Sequence, residues 1–337
     1  MSPPLGTAAQ RPFAAASVSG LAAVFAMALA IVIAVSACGP PARPDMGHDA
    51  AARPPAVNDS IDASVVPPDS AIPHDSLGAS MRRGLALLAH TGDSLPGYVG
   101  ANLRCLSCHL DGGRRPLFSL VGSFARYPRF VERSGAVATI EDRINFCFTR
   151  SLAGRALPTG SREMHDMVSY FAFLSSHVPP GAHVRGEGTP RIATLTGDSA
   201  RGSSLYGAHC ARCHVADGTG TAVAPAVWGP RSFTIAAGMA RELRLASFIR
   251  HAMPFDRPGT LSDQDAYDLA AFVMSHPRPD LPGKSRDWPA GGAPPDVPYA
   301  TTGHQAFHPA PLIARTGDTL GMIVPLPVTL LRIPAAR

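Results

Sequence analysis

Residues 105–109 read Cys-Leu-Ser-Cys-His, and residues 210–214 read Cys-Ala-Arg-Cys-His. Each is a C-x-x-C-H stretch, the attachment signature of c-type haem. Two thiols at this spacing reach the vinyl groups on one edge of a haem, and the adjoining imidazole lies under the iron. Cys105, Cys108, Cys210 and Cys213 are therefore the expected attachment sites for two covalent haem c groups. His109 and His214 are the expected proximal iron ligands. The competing reading is a redox or zinc C-x-x-C followed by a chance histidine. It must account for the motif twice in a chain with no zinc partner set elsewhere.

At 337 residues the chain has room for two ordinary domains. A formal charge of +5 is small for this length, and its Lys and Arg residues are scattered. The basic stripe that marks a nucleic-acid binder is missing, so no nucleic-acid partner is expected. Of six cysteines, four are taken by haem, leaving Cys38 and Cys147. With Cys38 in an export signal, Cys147 has no disulfide partner, which makes it a reactive or metal-ligating candidate.

Residues 1–37 read as a signal peptide, with Arg11 as the only charge and an apolar run from Leu21 to Val35. The run ends Val35-Ser36-Ala37-Cys38, similar to a bacterial lipobox in which Cys38 becomes a lipidated N-terminus. The alternative is an ordinary signal peptide or an uncleaved membrane helix, for which the run is short. The expected location is the periplasmic face, on a lipid anchor. Residues 38–76, rich in Pro, Ala and Asp, read as a disordered tether.

The expected fold is mostly α: two fused cytochrome c-like domains with long irregular loops. Domain 1 spans 77–182, a linker 183–198, domain 2 spans 199–283, and 284–337 is a Pro-rich extension with no assigned role. In domain 1, helical spacing covers Met81–His90, Thr139–Gly154 and Ser161–Val178. Thr139 is the expected N-cap of the second of these, and Gly154 its stop. Domain 2 has helices at Ser199–Tyr206, Gly238–His251 and, capped by Ser262, Asp263–Ser275. Both halves run helix, motif, irregular loop, ligand helix, closing helix, a weak internal repeat.

A haem used for electron transfer needs a second axial ligand. In domain 2 the candidate is Met253, in a Met-Pro pair just past a helix, with Met239 as the alternative and a plain core methionine as the bland reading. In domain 1 the candidate is Cys147. The alternatives Met164, His165, Met167 and His177 lie on an amphipathic helix. Arg143, one turn before Cys147, favours its thiolate. Arg143, Cys147 and Ser151 recur every fourth residue and so share a helix face. Arg133 and Arg143 could bracket one anionic substrate if the loop carrying Arg133 folds back on that helix. Either arginine alone could equally be a solvated surface residue.

The chain resembles the thiosulfate dehydrogenases, dihaem cytochromes that form tetrathionate. The resemblance rests on Tyr98-Val99-Gly100 ahead of the first motif and on the run from Glu141 through Cys147 and Ser151 to Pro158. It rests also on Trp228-Gly-Pro-Arg-Ser-Phe, and on Phe248 to Pro254 with Ser262 to Tyr267. It implies His109 and Cys147 on the first haem iron, and His214 and Met253 on the second. It also implies an active site at the first haem, with Arg133, Arg143 and Ser151 around the ligand cysteine. Some members carry a Lys before the Met as a switching ligand; here that position is Ala252. The implied activity joins two thiosulfates into tetrathionate. Cys147 would leave the iron and bond sulfur, and electrons would pass to a small soluble cytochrome or a membrane acceptor. The alternatives are a cytochrome subunit of a multienzyme sulfur-oxidation complex and a non-catalytic dihaem electron carrier.

Overall fold

The computed structural model describes residues 66–306. The signal segment, Cys38, most of the tether and the tail from 307 lie outside the described residues. Each half is built on one close crossing of two helices. In the first, α1 (Ser76–Ala89) crosses the later helix Arg162–Leu174; in the second, Ser199–His209 crosses Asp263–Met274.

The two crossings use the same chemistry. Arg83 on α1 pairs with the buried Asp166 at 2.8 Å, and Arg201 pairs with the buried Asp268. Gly84 and Gly202 follow those arginines. A Cβ on Gly84 would overlap the Asp166 carbonyl, and one on Gly202 the Asp268 carbonyl. Only glycine lets the helices approach this closely. Four residues beyond each aspartate, Tyr170 and Phe272 pack into their respective cores. The weak repeat is thus a duplicated Arg-Gly against Asp joint.

Between the paired helices of the first half lie a short hairpin and the helix that leads into Cys147. Strands β1 (Arg129–Val131) and β2 (Ala136–Ala138) pair antiparallel, with Phe130 opposite Val137. Helix α2 (Ile140–Phe146) starts on a reciprocal cap, Thr139 with Asp142, as expected. The closing helix is α3 (Arg162–Leu174), capped by Ser161. The second half contains α4 (Ser199–His209), α5 (Glu242–Ala252) and α6 (Asp263–Met274), the last capped reciprocally by Ser262 and Asp265. Leu88, Met164, Met167 and Tyr170 are sealed in the first core. Tyr206, Trp228, Leu269 and Phe272 anchor the second. Leu110 and Leu117 of the first half are members of the second core.

Several boundaries differ from expectation. The tether does not run to residue 76: Ile72 is buried in the first core, and Asp69 pairs with Arg114. The linker 183–198 is packed along its first part. Val184 joins Val121 and Val178, and the Ser119 and Phe118 N–H groups donate to the Gly186 and Gly188 carbonyls. Residues 284–306 are a packed strap whose Trp288, Val297 and Tyr299 surround Ala236. These segments bury isolated anchors rather than a periodic face, so their Pro and Gly content hid their packing. The helix expected over 139–154 is regular only to Phe146. A π turn, Cys147–Ser151, follows. The left-handed residue after it is Ala153 (φ 48°), not Gly154, which instead passes close under the Tyr98 carbonyl. Among the described residues, no helix is long and apolar enough to cross a membrane.

Candidate active site

The first C-x-x-C-H is held from its own backbone. The Cys105 N–H donates to the hydroxyl of Thr91, a fully buried residue, at 3.1 Å. His109 Nδ1 lies 2.6 Å from the Phe118 carbonyl. Phe118 sits in the left-handed region at φ 51°, a strained setting of order 1 kcal/mol that persists where surrounding structure demands it. With Nδ1 engaged by a carbonyl, Nε2 is the nitrogen left for iron.

Cys147 opens the π turn, a distortion often found where function needs a side chain re-aimed. The turn is tied to the approach of the first motif, because the Gly100 and Ala101 N–H groups both donate to the Leu152 carbonyl at 2.9 Å. Arg143 Nη1 donates to Cys147 Sγ at 3.0 Å. Burial alone would raise the Cys147 pKa. The Arg143 charge, the facing His109 ring and the Arg143 hydrogen bond outweigh it and bring the thiol down to about 6. The Cys105 and Cys108 thiols go the other way, pushed up to about 12 chiefly by burial. One sulfur of this pocket is thus a stabilised anion facing an imidazole, with a guanidinium on its flank.

The other expected site residues divide. Arg133 lies in the hairpin turn and is gripped by the strap. Its Nε donates to Asp287 Oδ2 at 2.8 Å, its Nη2 to the Ala236 carbonyl and the Tyr299 hydroxyl, and it stacks over Trp288. Arg150 takes Asp287 from the other side, at 2.8 and 2.7 Å. The guanidinium of Arg133 is therefore held by Asp287, while Arg143 alone reaches the sulfur. Ser151 is half-buried and ends the π turn. Asp287, Tyr299 and Arg150 escaped the sequence reading. Their pairings span 137 to 166 residues for Asp287–Arg150 and Tyr299–Arg133, and no local pattern marks such distances.

The second motif opens on a cavity of about 690 Å³, within the usual range for small-molecule and cofactor sites. Cys210, Cys213, His214 and Met253 all line it. His214 Nδ1 is 2.7 Å from the Pro225 carbonyl, and burial lowers its pKa, which keeps the ring in its neutral, ligating form. Met253 caps α5, its N–H donating to the Ile249 carbonyl at 3.0 Å. Met239 also lines the wall but belongs to the buried core. Ala252, at the position of the switching lysine, is sealed. Paired thiols, an oriented neutral imidazole and a large apolar chamber fit a covalent haem at this motif. At the first motif the oriented imidazole of His109 and the facing Cys147 sulfur offer the pair of donors a haem iron would take.

Residues 99–179 match the family described as SoxA/TsdA, cytochrome c domain, and residues 197–273 that described as cytochrome c oxidase, cbb3-type, subunit III. A thiosulfate dehydrogenase from Psychrobacter arcticus is 42% identical over 240 residues, covering 69% of this chain and 73% of that protein. The chain belongs to the thiosulfate dehydrogenase family. A second member, from Allochromatium vinosum, is 42% identical over 229 residues, covering 64% of this chain and 85% of its own length. The solved thiosulfate dehydrogenase (TsdBA) of Marichromatium purpuratum, in its as-isolated form, superposes with a TM-score of 0.64 at 31% identity. That match covers 69% of this chain and 54% of the other, so this chain spans about half the length of that longer protein. Membership makes the chain an oxidoreductase with two cytochrome c domains, and haem c its cofactor.

Proposed function

We propose that this protein oxidises two thiosulfates to one tetrathionate, releasing two electrons, at the site around Cys147. The observation that carries the reading is the Arg143–Cys147 contact at 3.0 Å opposite His109. His109 and Cys147 would hold one haem iron, and His214 and Met253 a second. A haem c at each motif would supply a one-electron acceptor, matching the two electrons released. The Cys147 thiolate bonds the sulfane sulfur of the first thiosulfate, giving a Cys–S–S–SO3⁻ adduct and two electrons. The sulfane sulfur of the second thiosulfate then displaces Cys147 from the adduct, forming the central S–S bond of tetrathionate and restoring the thiolate. Arg143 stabilises that thiolate both as attacking group and as leaving group, by a charge-assisted hydrogen bond. The relatives named thiosulfate dehydrogenase support the substrate class. Electrons would leave through the second domain to a small soluble cytochrome or a membrane acceptor. Lipidation of Cys38 would hold the protein at the periplasmic face.

The test is Cys147→Gly in the haem-loaded protein. Both haems should remain attached, since neither motif is touched, and thiosulfate-dependent reduction should disappear. Retained turnover in that variant would sink the covalent route. Failure of wild-type protein to be reduced by thiosulfate would sink the activity itself.

A further inference from the structure

Arg244 is an arginine the reaction above does not use. It lies in the first turn of α5, in the second domain, yet it reaches towards the first. The turn Gly238–Ala240, which leads into α5, packs against the Cys147–Ser151 turn. The same segment is tied there by the Thr234 N–H, which donates to the Arg150 carbonyl at 3.0 Å. The Arg244 guanidinium folds back over this turn. Its Nη1 is 3.2 Å from where a Cβ on Gly238 would stand, so the missing side chain makes its room.

The cations around it are all engaged. Arg143 is on the Cys147 sulfur, Arg133 on Asp287, and Arg241 on Asp296 at 2.7 Å. Asp296, the neighbouring carboxylate, also accepts from the Leu243 N–H. Among the described residues, Arg244 has neither an ion pair nor a hydrogen bond, and it is half-buried. Burial, followed by the charges of Arg241, Arg143 and Arg133, brings its pKa down to about 10. A crowded, partly desolvated guanidinium with no carboxylate of the described residues paired to it is an arrangement that a bound anion would relieve.

We propose that Arg244 forms an oxyanion subsite beside Cys147, contributed by the second domain, that binds the sulfonate end of a sulfur oxyanion. The inference rests on the proposed activity for its substrate, the second thiosulfate. The incoming thiosulfate dianion must meet the negatively charged Cys–S–S–SO3⁻ adduct, and one cation at the sulfur does not offset their repulsion. A guanidinium supplied from the opposite domain would hold the incoming anion by its far end. It acts on binding and orientation, not on the bond exchange.

The experiment compares haem-loaded wild type, Arg244→Gln and Arg244→Lys, with the exposed Arg191→Gln as a control. The probe is dithionate, which carries two sulfonates and no sulfane sulfur, titrated calorimetrically into the oxidised protein. Loss of one charge-assisted contact predicts about tenfold weaker dithionate binding in Arg244→Gln, and a similar rise in the thiosulfate KM. The kcat should stay within about twofold, the split expected of a binding group. Arg244→Lys should fall between, and Arg191→Gln should match wild type. Unchanged dithionate affinity in Arg244→Gln overturns the proposal, as does wild-type protein that does not bind dithionate. If Arg244→Gln does not fold, Arg244→Lys decides, and wild-type affinity in it overturns the subsite. Arg244-dependent dithionate binding in a protein that thiosulfate does not reduce would keep the subsite and reject the activity.

Discussion

Replacing Asp287 by Asn should loosen the strap and the site together. The carboxylate is buried and accepts from Arg133, from both Nη groups of Arg150, and from the Tyr299 hydroxyl at 2.7 Å. The amide keeps the volume but strands two guanidinium groups without a counter-charge. Breaking a fully buried pair costs about 3–5 kcal/mol, and some solvent access at the two arginines brings the expectation to about 2–4 kcal/mol. For a folded unit of this size that is a fall in apparent Tm of roughly 5–15 °C. The loss should depend on pH. Burial would raise the Asp287 pKa, but Arg150 and Arg133 together with the Tyr299 hydrogen bond hold it below the usual carboxylate range. A depressed folded-state pKa contributes stability above the unfolded value of about 3.9, and that contribution vanishes as pH falls through the folded value. Thermal unfolding followed by circular dichroism should therefore separate wild type and Asp287→Asn near neutrality and bring them together in acid. A neutral-pH difference under about 2 °C, or one that persists unchanged in acid, would refute the account.

Two further changes test the fold and the second domain. Gly202→Ala places a methyl into the Asp268 carbonyl and should cost about 1–3 kcal/mol by prising α4 from α6, read as a lower apparent Tm. Met253→His should move the potential of one haem downward and leave the other in place, because thioether ligation raises the potential; potentiometric titration reads both waves.

The elements that carry chemistry were visible in the sequence because their signals are local. Each C-x-x-C-H is five residues long, the Arg143–Cys147 pair is one helical turn, and the caps Thr139 and Ser262 precede their helices directly. That Met253 stands just past a helix was legible too, and the cavity wall includes it. What escaped was non-local or aperiodic. Arg83 and Asp166, or Arg201 and Asp268, look like unrelated surface charges until the helices cross. The hairpin strands have three residues each, too few to show alternation. For Arg133 the sequence offers a substrate ligand or a solvated arginine, and nothing nearby announces its partner Asp287 more than 150 residues away. Arg244 sits in an ordinary amphipathic helix, and only the packing of Gly238–Ala240 on the Cys147 turn gives it meaning.

Leu106, Cys108 and Leu110 come from the first attachment region, yet they wall the cavity of the second. The halves therefore cannot be treated as interchangeable cassettes. Severing the chain at its connector would leave both pieces with raw apolar faces, and grafting an unrelated partner onto either would meet a mismatched seam. Beyond their repeated Arg-Gly and Asp joints, the two copies share one apolar wall.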